Sequence, residues 1–232
     1  MGETTLLLKW ELQGGANLVP RARLQEVSTE TVEQIARQAR VTPTYLVLMA
    51  CSGVLAAVAF LADSVPLLVG SMVVAPALPP LALVAFAVVG RRIGYVGKGL
   101  SAAALGILLA ALCSVVAAWL LNITGVFPPE SNLVNKALLE ERVNPGWFSA
   151  VAAVAAGIAG TLALANNRSD TLVGAVAALA LVPTAAAAGI SLLSGDPVAS
   201  FGAAGLLAIN VFVIVLAGIV TLSLVKLDDA EH

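Results

Sequence analysis

The chain has 232 residues, of which 59% are apolar and only 11% are charged, with a net charge of −2. A soluble domain carries about twice that share of charge, and a chain of this length cannot hide so many apolar side chains from water. Together with only two cysteines, these numbers exclude a disordered chain, a disulfide scaffold and a basic nucleic-acid binder, and they predict an all-α integral membrane protein in a lipid bilayer.

The N-terminal segment, residues 1–43, is polar and carries ten of the 26 charges of the chain. Within it, residues 28–40 predict a short helix, because Val32, Ile35 and Ala39 share one face at helical spacing. Two interpretations of this helix stay open. It is either an interfacial helix lying on the anionic inner leaflet or a solvated linker helix.

Long apolar stretches follow, separated by tight groups of charged residues. A helix of about 20 residues crosses the roughly 30 Å hydrocarbon core of a bilayer. Six spans are predicted, at 44–62, 66–90, 99–122, 146–165, 171–193 and 198–225. They form a first three-helix repeat (44–122), an extracytoplasmic connector with a short helix (123–145), a second three-helix repeat (146–225) and a cytoplasmic tail (226–232).

The distribution of lysine and arginine predicts the orientation. With six spans, the two termini and the loops at 91–98 and 166–170 lie on one side of the membrane and hold ten basic residues. The opposite side holds only Lys136 and Arg142. Because basic residues are concentrated in cytoplasmic loops, both termini are expected in the cytoplasm.

An internal repeat connects the two halves. The run Leu-Val-Gly ending at Gly70 is followed by Pro79, and the same run ending at Gly174 is followed by Pro183, at an offset of 104 residues. Each copy lies in the middle span of a three-span half. Because three is odd, the second half would be inverted relative to the first, which is a plan common in transporters.

Prolines interrupt spans two and five near the middle of the membrane. Pro76, Pro79 and Pro80 lie in span two and Pro183 in span five, and a proline deprives the carbonyl four residues earlier of its helical donor. These breaks are either discontinuous helices around a central site or kinks packed against neighbouring helices. The carbonyls that lose their donors belong to Met72, Ala75, Pro76 and Leu179.

Other residues complete the candidate solute path. Gly70 and Gly174 are expected to let backbones approach, and therefore to tolerate no bulky side chain. Asn210, in the middle of the last span, binds a polar group of a solute or cross-links helices by hydrogen bonds. Ser71 and Thr184 lie close to the breaks, where their hydroxyls line the path or bond to their own helix.

One stretch resembles a known family. Residues 68–80, LVGSMVVAPALPP, are similar to the signature of the prokaryotic "uncharacterised hydrophobic domain" membrane proteins, a domain of unknown function, with Gly70, Met72, Ala75, Pro76 and Pro79 in register. The runs 141–145 (ERVNP) and 180–183 (ALVP) and Asn210 resemble further family motifs. The resemblance covers roughly residues 43–225 and implies a multi-pass protein of the prokaryotic cytoplasmic membrane, without a settled activity.

The features together favour a transporter or channel for a small solute or ion. The alternative is a membrane scaffold or envelope-sensing protein that transports nothing. An enzyme is not expected, because the spans lack general acids, bases and metal ligands, and no cofactor or metal site is predicted. Six thin helices rich in alanine and glycine cover broken helices poorly, so we expect a homodimer.

Overall fold

A computed structural model describes residues 29–124, 147–166 and 181–230. Every regular element within these ranges is helical. The predicted connector helix in 123–145 lies almost wholly outside the described residues. The helices are α1 (Thr29–Gln38), α2 (Pro43–Leu61), α3 (Val65–Val74), α4 (Leu78–Val89), α5 (Val96–Ile123), α6 (Trp147–Ala165), α7 (Val182–Leu193) and α8 (Pro197–Ala230), with a 3-10 turn at Ile93–Tyr95 before α5.

Within the described ranges, three helices are long and apolar enough to cross a membrane: α2, α5 with its preceding 3-10 turn, and α8. Helices α3 and α4 pass the same test as a pair, with a bend of 51° between them. Helices α6 and α7 are apolar but shorter. The predicted spans one, two, three and six therefore have structural counterparts, and the helix of span six continues to Ala230, into the expected tail.

Local sequence explains where these helices begin. Thr42 caps α2, its hydroxyl accepting from the N–H of Tyr45 at 3.1 Å, and Pro43 takes the first helical position. Helix α4 begins at Leu78, so Pro79 and Pro80 lie inside its first turn. The two prolines alone predict a helix that begins after them, with its first free N–H groups on Leu81 and Ala82. It begins earlier, since proline fits a first turn, where its missing N–H has no helical partner to lose.

The short helix α1 packs against the bundle. Its apolar residues Val32, Ile35 and Ala39 are buried, and α4 is the element they contact. The face expected to lie on the lipid surface, or to remain in water, is turned into the protein instead. Glu33 and Arg37, on the opposite side of α1, are exposed.

Helices α2 and α5 run parallel. The hydroxyl of Tyr45, early in α2, donates to the carbonyl of Ala102 at 2.9 Å, and Gly53, eight residues later, lies against the backbone of Ala110. Because both helices advance in the same direction, the α3–α4 pair between them must return across the bundle. The pair is therefore a bent span; its half-helices are about 15 and 18 Å long at 1.5 Å per residue.

Helix bounds recur along the chain at one fixed offset. Helices α2 and α6 each have 19 residues and begin 104 residues apart. Helices α4 and α7 each have 12 residues and also begin 104 residues apart. We call α2–α5 the first unit and α6–α8 the second unit.

The turns that follow α4 and α7 share one hydrogen-bond pattern. After α4, the N–H of Arg91 donates to the carbonyl of Val88 at 3.1 Å, and after α7 the N–H of Gly195 donates to that of Leu192 at 3.2 Å. The N–H groups of the residues just before and just after each donor also bond to equivalent carbonyls in the two turns. Arg91 and Gly195 both have positive φ, 56° and 77°. The equivalence of the units therefore extends to the backbone of their turns.

Contacts between the units fix the direction of α5 against α8. One level of the bundle is defined by residues 188 and 189 of α7. There, a Cβ on Gly189 would lie 2.7 Å from the side chain of Val115 in α5. The hydroxyl of Ser200 in α8 donates to the carbonyl of Ala188 at 2.8 Å.

A second level is defined by residues 84 and 85 of α4. A Cβ on Gly99 in α5 would lie 2.9 Å from the side chain of Val84, and one on Gly218 in α8 would lie 3.1 Å from that of Ala85. From the second level to the first, residue numbers rise along α5 and fall along α8. These two helices therefore run antiparallel.

Candidate functional site

The discontinuity between α3 and α4 spans Ala75–Ala77, and we call it the break. Its neighbouring backbone groups are partly satisfied by the protein. The hydroxyl of Ser52, in α2, donates to the carbonyl of Ser71 at 2.7 Å, and the N–H of Ala77 donates to the carbonyl of Ala75 at 2.9 Å. The expected loss of a helical partner at Ala75 is thus compensated locally.

The surroundings of the break are closed. Met72 and Ala75 are each 3% exposed, Pro80 is buried, and Pro76 and Pro79 are half-buried. Ser71 is fully buried and its hydroxyl donates to the carbonyl of Leu68 at 2.7 Å. Its side chain therefore bonds to its own helix, which was one of the two interpretations of this residue.

Gly70 does not permit a close approach of backbones. A Cβ placed on it would meet no atom within 4 Å. Among the described residues, nothing lies close enough to Gly70 to account for the expectation that it tolerates no bulky residue, which stays a prediction. The equivalent Gly174 lies outside the described residues.

In the second unit, Pro183 and Thr184 are buried in the first turn of α7. The N–H of Ala185 donates to the carbonyl of Leu181 at 2.9 Å, which closes that turn. Pro183 thus holds the place in α7 that Pro79 holds in α4. Leu179, whose carbonyl it was expected to free, lies outside the described residues.

Helices α4 and α7, which each carry a proline in the first turn, share their neighbours. Helix α4 packs against α5 of its own unit and α8 of the other. Helix α7 packs against α8 of its own unit and α5 of the other. Within the described ranges, α4 and α7 are therefore held by the same two long helices, and neither packs mainly against the other.

Asn210 joins α6 to α8. It is fully buried, and its side-chain amide and the hydroxyl of Ser149 lie 3.0–3.1 Å apart in a reciprocal pair of hydrogen bonds. The same places in the first unit are held by Gly106 and Tyr45, whose hydroxyl lies against that glycine. The geometry is that of a helix cross-link, one of the two interpretations of this residue.

The small residues at positions 153, 156, 157 and 160 predict close helix packing, and Gly157 does lie at such a contact, whereas sequence reasoning missed its counterpart Gly53. A Cβ on Gly157, in α6, would lie 2.5 Å from the carbonyl oxygen of Ile214, in α8. Its equivalent 104 residues earlier is Gly53, which lies against Ala110, itself the equivalent of Ile214. The offset that relates Gly70 to Gly174 also relates these two glycines, and it was the signal that could have found Gly53.

A metal centre has no ligand set in the described part of the chain. Within residues 29–124, 147–166 and 181–230, no group of three or more His, Cys, Asp or Glu side chains lies close enough to hold an ion.

Comparison with known proteins identifies the family. Residues 72–216 match the model described as "Domain of unknown function (DUF389)". The chain belongs to this family. The resemblance read from residues 68–80 is thereby confirmed, and the matched region extends from the end of α3 into α8.

One curated relative is similar over most of the chain. It is the uncharacterized protein MJ0678 of Methanocaldococcus jannaschii, 27% identical over 178 residues, which are 77% of this chain and 53% of that protein. The chain thus spans about half the length of the relative it matches. No solved structure shows a significant match to the chain.

Proposed function

We propose that the chain is a transporter or channel for a small solute or ion, built from two inverted three-span units in the prokaryotic cytoplasmic membrane. Both termini are cytoplasmic in this proposal, and the protein is a homodimer. The observation that carries the proposal is the packing of α4 and α7, two short helices with a proline in the first turn, against the same pair of antiparallel helices. Paired discontinuous helices at the interface of inverted repeats are the plan of many secondary transporters.

The exchange of packing partners supports two equivalent units. Helix α4 contacts α8 at Ala85 and Gly218, and α7 contacts α5 at Gly189 and Ser114. Gly189 lies 104 residues after Ala85, and Ser114 lies 104 residues before Gly218. The second contact is therefore the first one with the two units exchanged. Such an exchange is what a pseudo-two-fold axis produces. The opposite directions of α5 and α8 support an axis in the membrane plane rather than along its normal.

The break supplies a backbone polar group for binding a solute. An irregular backbone at membrane depth needs a protein or water partner for its polar groups. Here the carbonyl of Ser71 has Ser52 and that of Ala75 has Ala77, whereas the helical donor of Met72 would be the nitrogen of Pro76, which has no N–H. A small polar solute or a cation can be bound by such a carbonyl without a charged side chain. The closed surroundings correspond to an occluded conformation.

The same closure favours the second candidate, a membrane scaffold or envelope sensor without transport. Met72, Ala75 and Leu78 are 3–4% exposed. A bent span whose polar groups are bonded within the protein is as compatible with a structural role as with transport. The two candidates differ in whether solute crosses the membrane when the break is altered.

A flux assay in proteoliposomes separates them. The full chain is reconstituted and tested with a panel of inorganic ions, amino acids and small carboxylates, in parallel with Pro79→Ala. That substitution gives residue 79 an N–H for the carbonyl of Ala75 and favours a continuous helix across the break. We expect flux to fall about tenfold, with a change in thermal unfolding no larger than that of the control.

The control is Pro66→Ala, because Pro66 occupies the same place in the first turn of α3 and is exposed, away from the break. We expect it to leave flux within twofold of the unaltered protein. Flux no greater than that of empty liposomes across the whole panel contradicts transport and leaves the scaffold. Equal flux in the two variants contradicts a role of the break.

A further inference from the structure

A cavity lies at the end of the bundle that carries α1. Its volume is about 410 Å³, within the range of small-molecule sites. Helix α1 forms one wall, the residues following the 3-10 turn form the other, and Leu83 of α4 contributes apolar surface. We call it the basic pocket, because Arg37, Arg40 and Lys98 line it beside one carboxylate, Glu33.

Within the part of the chain that the structure describes, the positive charges of the basic pocket form no ion pair. Among the described residues, no carboxylate oxygen lies within 4 Å of Arg37, Arg40 or Lys98. This holds although Glu33 stands one helical turn before Arg37 and lines the same pocket. The lining carries three positive charges and one negative charge, an excess that favours an anion of one or two charges.

Lys98 is held on the wall of the pocket. Its ammonium nitrogen lies 4.8 Å from the centre of the Tyr95 ring, within cation–π distance. Both residues line the pocket, so the interaction keeps the charge on its wall. The guanidinium groups of Arg37, on α1, and Arg40, just after it, supply the paired donors that recognise phosphate oxygens.

The pocket lies where polar chain meets membrane span. Arg40 and Val41 line it just before the cap of α2 at Thr42, and Ser101 and Ala102 line it just inside the apolar length of α5. An occupant would therefore have its charged group at the membrane boundary and an apolar part beside Leu83 and Ala102. Basic pockets between spans at this depth bind lipid head groups.

We propose that the basic pocket binds a phosphate group, carried either by an anionic phospholipid headgroup or by a soluble phosphate compound. This site is independent of the break and of any transport through it. In this proposal the phosphate lies between α1 and the start of α5, and Arg37, Arg40 and Lys98 supply the positive charge.

Binding of a fluorescent short-chain phosphatidylglycerol to the full chain in neutral detergent micelles tests the proposal. Unlabelled phosphatidylglycerol should displace the probe, and phosphatidylcholine should not. Removing one pocket charge, in Arg37→Gln or Lys98→Gln, should weaken binding about fivefold. Arg91→Gln removes an exposed charge at the same end that does not line the pocket, and should weaken binding less than twofold.

A charge-neutral variant guards against effects of altered surface charge or fold. Ala36 is half-buried and lines the pocket, so Ala36→Phe fills the space while leaving all three cations in place. It should abolish displaceable binding while thermal unfolding without lipid stays within a few degrees of the unaltered protein.

The competitors identify the source of the phosphate. Displacement by inorganic phosphate and glycerol 3-phosphate as effective as that by phosphatidylglycerol assigns the site to soluble phosphates; displacement by the lipid alone assigns it to a headgroup. Equal displacement by phosphatidylcholine overturns the proposal. Losses in Arg37→Gln and Lys98→Gln no larger than the loss in Arg91→Gln overturn it as well.

Discussion

Two glycines set how closely the long helices of each unit approach. Gly53 allows α2 to lie against the backbone of α5 at Ala110, and Gly157 allows α6 to lie against that of α8 at Ile214. Small residues at such crossings let helices pack where the surrounding lipid gives no hydrophobic driving force. The same contact, made twice at a spacing of 104 residues, ties the parallel helices of each unit together.

Gly157→Ala should therefore destabilise the protein. The new Cβ would lie 2.5 Å from the carbonyl oxygen of Ile214, and backbone cannot move aside as a flexible side chain can. Overpacking costs about 1–3 kcal/mol, which outweighs the roughly 1 kcal/mol that alanine gains over glycine in a helix. A fall of several degrees in the unfolding midpoint in detergent is expected.

Gly70→Ala is the matched control, because a Cβ there meets nothing within 4 Å. The helix-propensity gain then acts alone, so its midpoint should stay the same or rise slightly. A lower midpoint for Gly70→Ala than for Gly157→Ala would contradict the packing described for both helices.

Sequence alone could find the offset but not the role of each glycine in it. The match of Gly70 and Pro79 to Gly174 and Pro183 identified the spacing of 104 residues. Which face of a helix meets a neighbour was not readable, because α3 is apolar all round and its exposed face carries valines such as Val69 and Val73. Gly70 was therefore assigned a contact that Gly53 makes.

At the scale of elements, the bend between α3 and α4 depends on a bond from another helix. The hydroxyl of Ser52, fully buried in α2, donates to the carbonyl of Ser71 in the last turn of α3. That carbonyl lies just before the break. A polar side chain on a neighbouring span is one of the ways in which an interrupted membrane helix satisfies its freed groups.

The prolines made this break predictable from the sequence, whereas the side chain that bonds to the backbone beside it was not predictable. Pro76, Pro79 and Pro80 predicted that the helix would be interrupted. Ser52 lies 19 residues before the carbonyl to which it donates. Its sequence neighbours carry no mark of that role, which follows only from how α2 and α3 pack.

Ser52→Ala should loosen the end of α3. The buried carbonyl of Ser71 would lose its donor, a change that costs about 1–3 kcal/mol when no water replaces it. The midpoint of thermal unfolding should fall, and hydrogen exchange of the backbone amides in residues 71–77 should become faster.

Ser101→Ala controls for the removal of a hydroxyl. Ser101 is exposed and donates within its own helix to the carbonyl of Lys98 at 3.1 Å. Its loss should change the free energy of unfolding by about 0.5 kcal/mol or less, as is usual for surface substitutions. Equal effects of the two substitutions would show that the bond between α2 and α3 does not hold the bend.

At the scale of the molecule, the direction of each helix decides what the repeat means. Two units with an even number of spans each would lie in the same orientation, and two with an odd number would be inverted. Because α2 and α5 run parallel, the bent α3–α4 pair counts as one crossing. The first unit then has three spans, and equivalent turns of the two units should face opposite sides of the membrane.

Single cysteines at equivalent positions test this inversion. Ile93 and Pro197 are 104 residues apart, both are exposed, and each follows one of the turns that share a hydrogen-bond pattern. In a background with Cys51 and Cys113 replaced by alanine, a membrane-impermeant maleimide should label Pro197→Cys from outside intact cells. Ile93→Cys should be labelled only after the membrane is opened, since the excess of lysine and arginine predicts a cytoplasmic position for its loop. Labelling of both cysteines from the same side would contradict the inverted arrangement.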